Sequence, residues 1–437
     1  MQPSLGIPTD PRLAAALARL DQQVDWERRS RARMRVSVEP ERDLLARLGS
    51  PQAGLPAVHV AGSKGKGSVA ALVAAGLGRG GLRTGLYTSP HVERVNERVA
   101  VGGEPLADEA LAEALERALA AREAAVSAGS AGTDATWFDI VTAGAFWAFR
   151  RAQVDWLVVE CGLGGRLDST NVLGAEVCVI TTIELEHTAV LGSTRSAIAL
   201  EKAGILSPGS TLVTGVPPDE EAGRALERRA EELGVRVLRP GWLGGERPAV
   251  ADCNRALAEL ALAELGRRGH DDAAGMPLGP HLLDVLALEH ARLPARMERF
   301  DVRGVPLVLD GAHTPNSARD VLRDLARDPG LPGSPIAVVG MAREKDLTGI
   351  LKALAAHVDR LVCTSTGSEL HRAPGEIAGA AADLGMAAET AASPGMALDR
   401  ALELAREGRG WVLVLGSLWL AGAIRPLLLS TTRASGC

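Results

Sequence analysis

The sequence predicts an α/β protein built on two mainly parallel sheets, and three observations carry that expectation. Short apolar runs alternate with longer helical patterns along almost the whole chain, as repeated βα units do. Within Val58–Ser68, an apolar run passes through a glycine-rich turn straight into an Ala- and Leu-rich helical stretch. The alternation then restarts after a break near 291–297, which points to a second, smaller unit of about 140 residues, an ordinary domain size.

Taken in order, strands are predicted near 56–61, 82–88, 154–160, 176–183 and 210–214, with helices near 67–80, 106–127, 136–153 and 194–204. Trp137, Phe138, Phe146, Trp147 and Phe149 gather in the third of these helices, and the spacing of Phe138, Phe146 and Phe149 suits one core-directed face. The Gly- and Pro-rich stretch 239–250 reads as a loop and 251–268 as a helix. Beyond the break, strands are expected near 305–310, 335–340, 360–364 and 411–416. The expected domains are therefore 1–293, a P-loop-type sheet domain, and 294–437, a smaller Rossmann-like domain.

Composition narrows the function. With 3% aromatic residues, Leu, Val and Ala must fill most of the core. A formal net charge of −6 argues against a general nucleic-acid binder, which needs a basic surface. Five scattered cysteines (161, 178, 253, 363 and 437) form no C-x-x-C pair, so neither a disulfide framework nor a zinc site is expected, and a reducing compartment is. Residues 1–10 hold no apolar signal region and no uncharged apolar run reaches 18 residues, so a cytoplasmic protein with no membrane partner is expected. One basic run stands apart, Arg28, Arg29, Arg31, Arg33 and Arg35; a solvated face and an anion-binding role both fit it.

The chemistry concentrates where strands end. Gly62, Gly65 and Gly67 let backbone N–H groups close around phosphate oxygens, the following helix adds its positive end, Lys66 adds a mobile cation, and Ser68 a hydroxyl. Gly67 separates the lysine from the serine, so the strict Walker pattern fails. An ordinary βα connection uses similar residues, but the strand before and the helix after favour phosphate. Glu160 ends the strand at 154–160 and precedes a glycine loop, a position from which a carboxylate reaches a metal on a nucleotide; capping a neighbouring helix is the alternative. Glu186 and His187 follow the next strand, a candidate second metal position. Lys202 lies towards the end of a helix, where by itself it reads as a surface lysine. Asp310 and His313 emerge where a later strand meets a helix, and Arg296 sits just past the break.

Together these motifs resemble the folylpolyglutamate synthase/dihydrofolate synthase family of the Mur ligase superfamily, from about residue 40 to 420. The phosphate loop is matched by 61–68, the Ser-Pro-His segment by Ser89-Pro90-His91, and Asn96-Glu97-Arg98 follows. Glu160 to Asn171 matches the family's Glu-x-Gly-Leu-Gly-Gly-Arg-Leu-Asp-x-Thr-Asn signature, and His187-Thr188, Leu191-Gly192, Glu201 to Ile205, Asn254, Arg296 and Asp310 to His313 complete the order. The resemblance implies that Gly62, Ser63, Lys64, Gly65, Lys66, Gly67 and Ser68 hold the ATP phosphates. It implies that Ser89, Glu160 and His187 bind magnesium, with a carbamylated Lys202 as a further anionic ligand. Asn254, Arg296 and Asp310 would contact ATP, Ser89 and His313 would lie near the incoming glutamate, and Phe138, Asp139, Leu167, Asp168 and Ser169 would line the pterin pocket. Lys64, Glu186, Asp139 and Thr314 stand where the family usually has Asn, Asp, Glu and Asn, and the arginine run occupies part of the expected pterin loop.

The activity so implied is ATP-dependent addition of L-glutamate to dihydropteroate or to tetrahydrofolate and its polyglutamates. ATP would be co-substrate, with two magnesium ions, room for a monovalent cation, and a monomeric enzyme. Lys66, His187, Lys202, Arg296 and His313 would carry catalysis, chiefly by positioning and charge neutralisation. No Ser-His-Asp or Cys-His arrangement is present, which suits a reaction without a protein nucleophile. A cell-wall Mur ligase would need an N-terminal sugar-nucleotide domain, for which a phosphate loop beginning at residue 62 leaves no room. An amide ligase for another acid and a catalytically retired nucleotide binder are the remaining rivals. Lys66, Glu160, His187 and Lys202 occurring together speak against the latter.

Overall fold

The computed structural model of the chain describes residues 8, 10–27, 37–243, 245–331 and 333–434. They form two compact units, one from His91 backwards with Val95–Arg292, the other from Leu293 onward with Val92–Arg94. The arginine run at 28–35 lies outside the described residues.

In the larger unit the elements are α1 (Pro11–Leu20), α2 (Glu39–Arg47), β1 (Ala57–Ala61), α3 (Lys66–Arg79), β2 (Thr84–Tyr87), β3 (Val99–Val101), β4 (Glu104–Pro105), α4 (Asp108–Ala128), α5 (Trp137–Arg151), β5 (Trp156–Glu160), β6 (Val177–Ile180), α6 (Thr188–Leu191), α7 (Arg195–Lys202), β7 (Thr211–Thr214), α8 (Glu221–Leu233), β8 (Arg236–Leu238), α9 (Val250–Arg267) and α10 (Val285–His290). They build an eight-stranded sheet in the order β4-β3-β2-β5-β1-β6-β7-β8. All neighbours from β2 to β8 are parallel, and only the short β3 and β4 run antiparallel at one edge. β1, β5 and β6 are buried at every residue, as strands covered on both faces must be. Register sets Val60 beside Glu160 and Ala61 beside Ile180, so the chain leaves β1, β5 and β6 at one common edge. In an open α/β sheet that carboxyl edge is where ligands bind.

The smaller unit contains β9 (Glu298–Val302), β10 (Val305–Leu309), α11 (Pro315–Leu325), β11 (Pro335–Val339), α12 (Leu347–Leu354), β12 (Arg360–Cys363), α13 (Pro374–Asp383), β13 (Ala387–Thr390), α14 (Pro394–Gly408), β14 (Trp411–Leu415) and α15 (Leu418–Ala434). Its six strands are ordered β13-β12-β11-β14-β10-β9, parallel except for the β9–β10 hairpin. That hairpin turns on Arg303 and Gly304, both at positive φ, as a two-residue primed turn requires. Leu307 and Leu309 pack into one core layer and Val308 into the other, the period-two alternation of a sheet buried on both faces. Val92 belongs to the first of these layers, and the neighbouring Glu93 pairs with Arg425 of α15.

The fold class expected from the sequence is the one observed. The core is mainly Leu, Val and Ala, with Trp137, Phe146, Phe149, Tyr87, Trp156 and Trp411 as its large buried rings. Phe138 departs from the expected stripe and is only partly buried. Among the described cysteines, Cys161, Cys178, Cys253 and Cys363 are free and buried. No helix among the described residues is long and apolar enough to cross a membrane.

Candidate active site

The loop between β1 and α3 is built around two glycines that no other residue replaces without strain. Gly62 has φ of 141°, and a methyl group there would fall 1.9 Å from Thr181 Oγ1. Gly65 has φ of 82°, with the Asn254 side chain only 2.5 Å from its missing Cβ. Close approach on both sides is what exposes backbone N–H groups at this bend. Gly65 ends the turn at the start of α3 with no side-chain cap, which leaves the first-turn amides, including those of Gly67 and Ser68, facing outward at the positive end of a 14-residue helix.

Residues just beyond β6 hold this loop in shape. The Ser63 amide donates to the Thr182 carbonyl (2.8 Å), and Ser63 Oγ accepts from the Glu184 amide (2.9 Å). The Lys64 amide donates to Thr182 Oγ1 (3.0 Å), while Thr181 Oγ1 donates to the Lys64 carbonyl (2.6 Å). Thr181 and Thr182 thus take a scaffolding part that the sequence reading did not assign. The only signal for it is a Thr-Thr pair directly after an apolar strand.

Three ammonium groups and two carboxylates surround the loop. Lys66 Nζ stands 3.5 Å from the Ser63 carbonyl and 3.9 Å from Glu160 Oε1, both too long for strong bonds, so its donors remain largely available. Glu160 is buried at the end of β5, where Oε2 accepts from the Ser89 amide at 2.9 Å. Glu186 lies between Lys64 (3.4 Å) and Lys202 (3.5 Å). Burial pushes the Glu186 carboxyl up, but Lys64, Lys202 and Lys66 outweigh it and hold the group well below the usual carboxylate range. His187 follows in a left-handed conformation (φ 50°) at the start of α6.

Lys202 is not a surface lysine. It is 2% exposed, and its Nζ donates to the Gly62 carbonyl at 2.8 Å. Burial, with help from Lys66 and against Glu186, pulls its ammonium down to about 8, so an appreciable fraction is neutral amine near neutral pH.

A second group of side chains joins the start of α5 to the glycine loop after β5. Asp139 closes a capping box with Thr136 and accepts from Ser169 Oγ at 2.5 Å. Asp168 Oδ2 accepts from the Leu163 amide (2.7 Å), and its Oδ1 from the amide and hydroxyl of Thr170. Both carboxyl groups are raised by burial, against these hydrogen bonds. Asp139, Asp168 and Ser169 are thus buried and tied to their neighbours, while Phe138 and Leu167 are only partly buried. Arg98 underpins the same region. It is fully buried, donates to both oxygens of Glu27 (3.1 and 2.5 Å) and to His91 Nδ1 (2.8 Å), and lies 4.7 Å from the Trp137 ring centroid.

In the smaller unit, Arg296, Asp310 and His313 come together at the end of β10. Asp310 is buried and accepts from the amides of Met297 (2.8 Å) and Ala312 (2.7 Å); burial raises its carboxyl against the pull of Arg296. His313 Nδ1 stands 2.8 Å from the Gly311 carbonyl. Arg296 is exposed and flanked by Ala295 and Met297, both at positive φ.

The donor set suits a hard cation that is shared with a ligand. Among the described residues no three His, Cys, Asp or Glu side chains gather as a self-sufficient metal cage. Magnesium needs no such cage, because it keeps water and takes one or two carboxylates plus substrate phosphates. Glu160 beside Ser89 meets that requirement at the edge that carries the phosphate loop.

Residues 295–418 match the Mur ligase glutamate ligase domain model. The chain is 34% identical to a folylpolyglutamate synthase from Lacticaseibacillus casei over 433 residues, covering 88% of this chain and 93% of that protein. Among solved structures, Escherichia coli FolC in complex with DHPP and ADP superposes with a TM-score of 0.78 at 27% identity, over 99% of this chain and 100% of that one. The bifunctional folylpolyglutamate synthase/dihydrofolate synthase of Yersinia pestis, complexed with AMPPNP and a manganese ion, gives 0.75 at 28% identity, over 98% and 100%. With that identity running over most of both chains, and a phosphate loop, a strand-end glutamate and a buried lysine on one sheet edge, the chain belongs to the folylpolyglutamate synthase/dihydrofolate synthase family.

Proposed function

We propose that the protein is an ATP-dependent ligase that joins the α-amino group of L-glutamate to the carboxylate of dihydropteroate or of tetrahydrofolate and its polyglutamates. One observation carries this most directly: an uncapped helix start, Lys66 and the Ser89–Glu160 pair meet at one end of β1 and β5. A carboxylate is a poor electrophile, so it first takes the γ-phosphoryl group of ATP, releasing ADP and forming an acyl phosphate. The glutamate amine then attacks the carbonyl carbon, loses a proton, and expels phosphate. The protein's part is to hold charge and position, with no covalent intermediate on a side chain.

Gly62 to Ser68 supply amides and the Lys66 cation to the β- and γ-phosphates, and Asn254 lies against the same loop. Arg296 and Asp310 are assigned ATP contacts and His313 a contact to glutamate. Phe138 and Leu167 offer apolar faces to the pterin, in a frame set by Asp139, Asp168 and Ser169. Ser89, Glu160, His187 and a carbamate on Lys202 would hold magnesium, which when bound neutralises phosphate charge; two such ions and a monovalent cation complete the proposal. Carbamylation needs the neutral amine, which adds to CO2 and releases one proton, and burial favours that form of Lys202. In this reading 1–293 binds ATP and folate, 294–437 is the ligase domain, and the enzyme works as a cytoplasmic monomer.

Phosphate release measured with dihydropteroate, tetrahydrofolate and several unrelated acids, each with and without glutamate, tests the assignment. Glutamate-dependent release is expected with the folates. Faster glutamate-dependent release with an unrelated acid would overturn it.

A further inference from the structure

Glu41 is out of place for its helix. In α2 the core-directed stripe is Glu41, Leu44 and Leu45, all fully or almost fully buried, and the period of the helix asks for an apolar residue at 41. Instead a carboxyl group stands there at 0% exposure, with neither oxygen hydrogen-bonded. Most buried polar side chains in folded proteins find a partner, so one with both acceptors unfilled requires a reason.

The surroundings suggest that reason. α2 packs on α5, and the charged groups that face Glu41 are Asp139 at the start of α5 and Asp168 in the glycine loop. Among the described residues none of these three carboxyl groups pairs with a lysine or arginine. Asp139 and Asp168 spend their oxygens on Thr136, Ser169, Leu163 and Thr170. Of the three, only Glu41 has both oxygens without a hydrogen bond. Trp137, in the first turn of α5, also has its indole N–H buried and unpartnered. Burial and the two aspartates push the Glu41 carboxyl well above the usual range, because its charged form has no donor there to compensate it.

We propose that Glu41 is a further recognition residue for the heterocyclic end of the acid substrate, its carboxyl pairing with the N–H-rich edge of an aminopyrimidine ring. Such an edge carries adjacent ring and exocyclic N–H donors, the complement of a two-oxygen acceptor. This rests on the folate reading above, and specifically on Asp139, Asp168 and Ser169 framing the pterin pocket. It also explains a polar residue kept where leucine would pack, because recognition sites retain groups that cost stability.

The test compares full-length wild type, Glu41→Leu and Glu41→Gln by thermal unfolding, by ATP kinetics, and by equilibrium binding of dihydropteroate and its 2-desamino analogue. Glu41→Leu should melt at or above the wild-type temperature. It should bind dihydropteroate about tenfold or more weakly, the scale of a lost charge-assisted hydrogen bond, with an unchanged KM for ATP. Glu41→Gln keeps the shape but swaps an acceptor for a donor, and should also bind more weakly. The desamino analogue should bind all three proteins alike. A folded Glu41→Gln protein that binds dihydropteroate as wild type does overturns the proposal, as does a Glu41→Leu protein that is destabilised with unchanged binding. If wild type itself binds no dihydropteroate, the folate reading falls with it. Wild-type binding that Glu41→Gln leaves intact removes the role of Glu41 alone.

Discussion

Gly62→Ala challenges the phosphate loop through geometry alone. The new methyl would sit 1.9 Å from Thr181 Oγ1 and 3.0 Å from the Thr181 amide nitrogen, at a backbone φ of 141°. Left-region backbone strain costs about 1–3 kcal/mol for a non-glycine residue. Turning the threonine hydroxyl away breaks its 2.6 Å bond to the Lys64 carbonyl, about 1 kcal/mol more. Overpacking of the remaining contact adds about 1–2 kcal/mol. The Gly62 carbonyl is also tied to Lys202 at 2.8 Å, so the peptide cannot simply swing clear. A total of about 3–6 kcal/mol, taken up by the loop, predicts a fall of about 10²- to 10⁴-fold in kcat/KM for ATP, since each 1.36 kcal/mol is tenfold. Steady-state kinetics with varied ATP, alongside thermal unfolding, measures it. Adding Thr181→Ala should restore part of the loss, with a coupling of about 1 kcal/mol or more. Unchanged ATP kinetics in Gly62→Ala, or strictly additive effects in the double variant, would refute the clash.

Lys66→Ala should lower ATP turnover by several kcal/mol of transition-state stabilisation and leave the melting curve unchanged, because Nζ makes only long contacts of 3.5 and 3.9 Å; near-normal turnover in a folded variant removes the lysine from the phosphate site. Lys202→Ala should be inactive and regain activity with millimolar acetate, a small free carboxylate in place of the carbamate. In wild type, activation by added bicarbonate should grow as pH rises through about 8, where the buried amine loses its proton; activation that weakens with pH argues against the carbamate. Arg98→Ala should destabilise the larger unit by about 3–5 kcal/mol in chemical denaturation, because it removes a fully buried partner of Glu27 and His91 and uncovers the Trp137 face. A loss below about 1 kcal/mol would mean that the arginine is only a packing filler.

How much of this was legible depends on how local each cause is. β1, β5, β6, β10, β11, β12 and β14 are short apolar runs closed by glycine or polar residues, and such runs declare themselves in the sequence. The edges do not. β3 and β4 are three and two residues long and pair antiparallel, while β9 and β13 alternate or lack strong apolar residues because one side stays wet. α1, α2, α8 and α10 were unassigned too, although Asp10 caps α1 with Pro11 in its first turn, a start signal the sequence does carry. The burial of Lys202 had no local sign. It arises because α7 lies against the glycine loop after β5, close enough that a Cβ on Gly165 would meet the Lys202 carbonyl at 2.7 Å, and the Arg166 amide donates to the Glu201 carbonyl at 2.8 Å. Glu41 is the opposite case. Its helix period was readable, but only the packing of α2 on α5 shows that the carboxyl is buried without a partner.

Scaffold and chemistry also differ in how tightly charges are held. Arg98 grips Glu27 at 2.5 Å and Arg166 grips Glu201 at 2.8 Å, distances of committed ion pairs. Around the phosphate loop the pairs are longer: Lys64–Glu186 at 3.4 Å, Lys202–Glu186 at 3.5 Å, Lys66–Glu160 at 3.9 Å. Cations held at such distances exchange one anion for another at small cost, which is what the proposed triphosphate site would require. The count of charge makes the same point about Lys202. Lys64, Lys66 and Lys202 against Glu160 and Glu186 leave one net positive charge around the empty loop. A carbamate turns the Lys202 terminus from positive to negative, so the same five groups carry one net negative charge. The modification would thus convert an anion site into one that also favours a divalent cation, placed where the phosphates arrive, and it would turn the attraction between Lys202 and Glu186 into repulsion. Glu186 would then be left to Lys64, and the loop's cations would sort themselves between carboxylates and nucleotide.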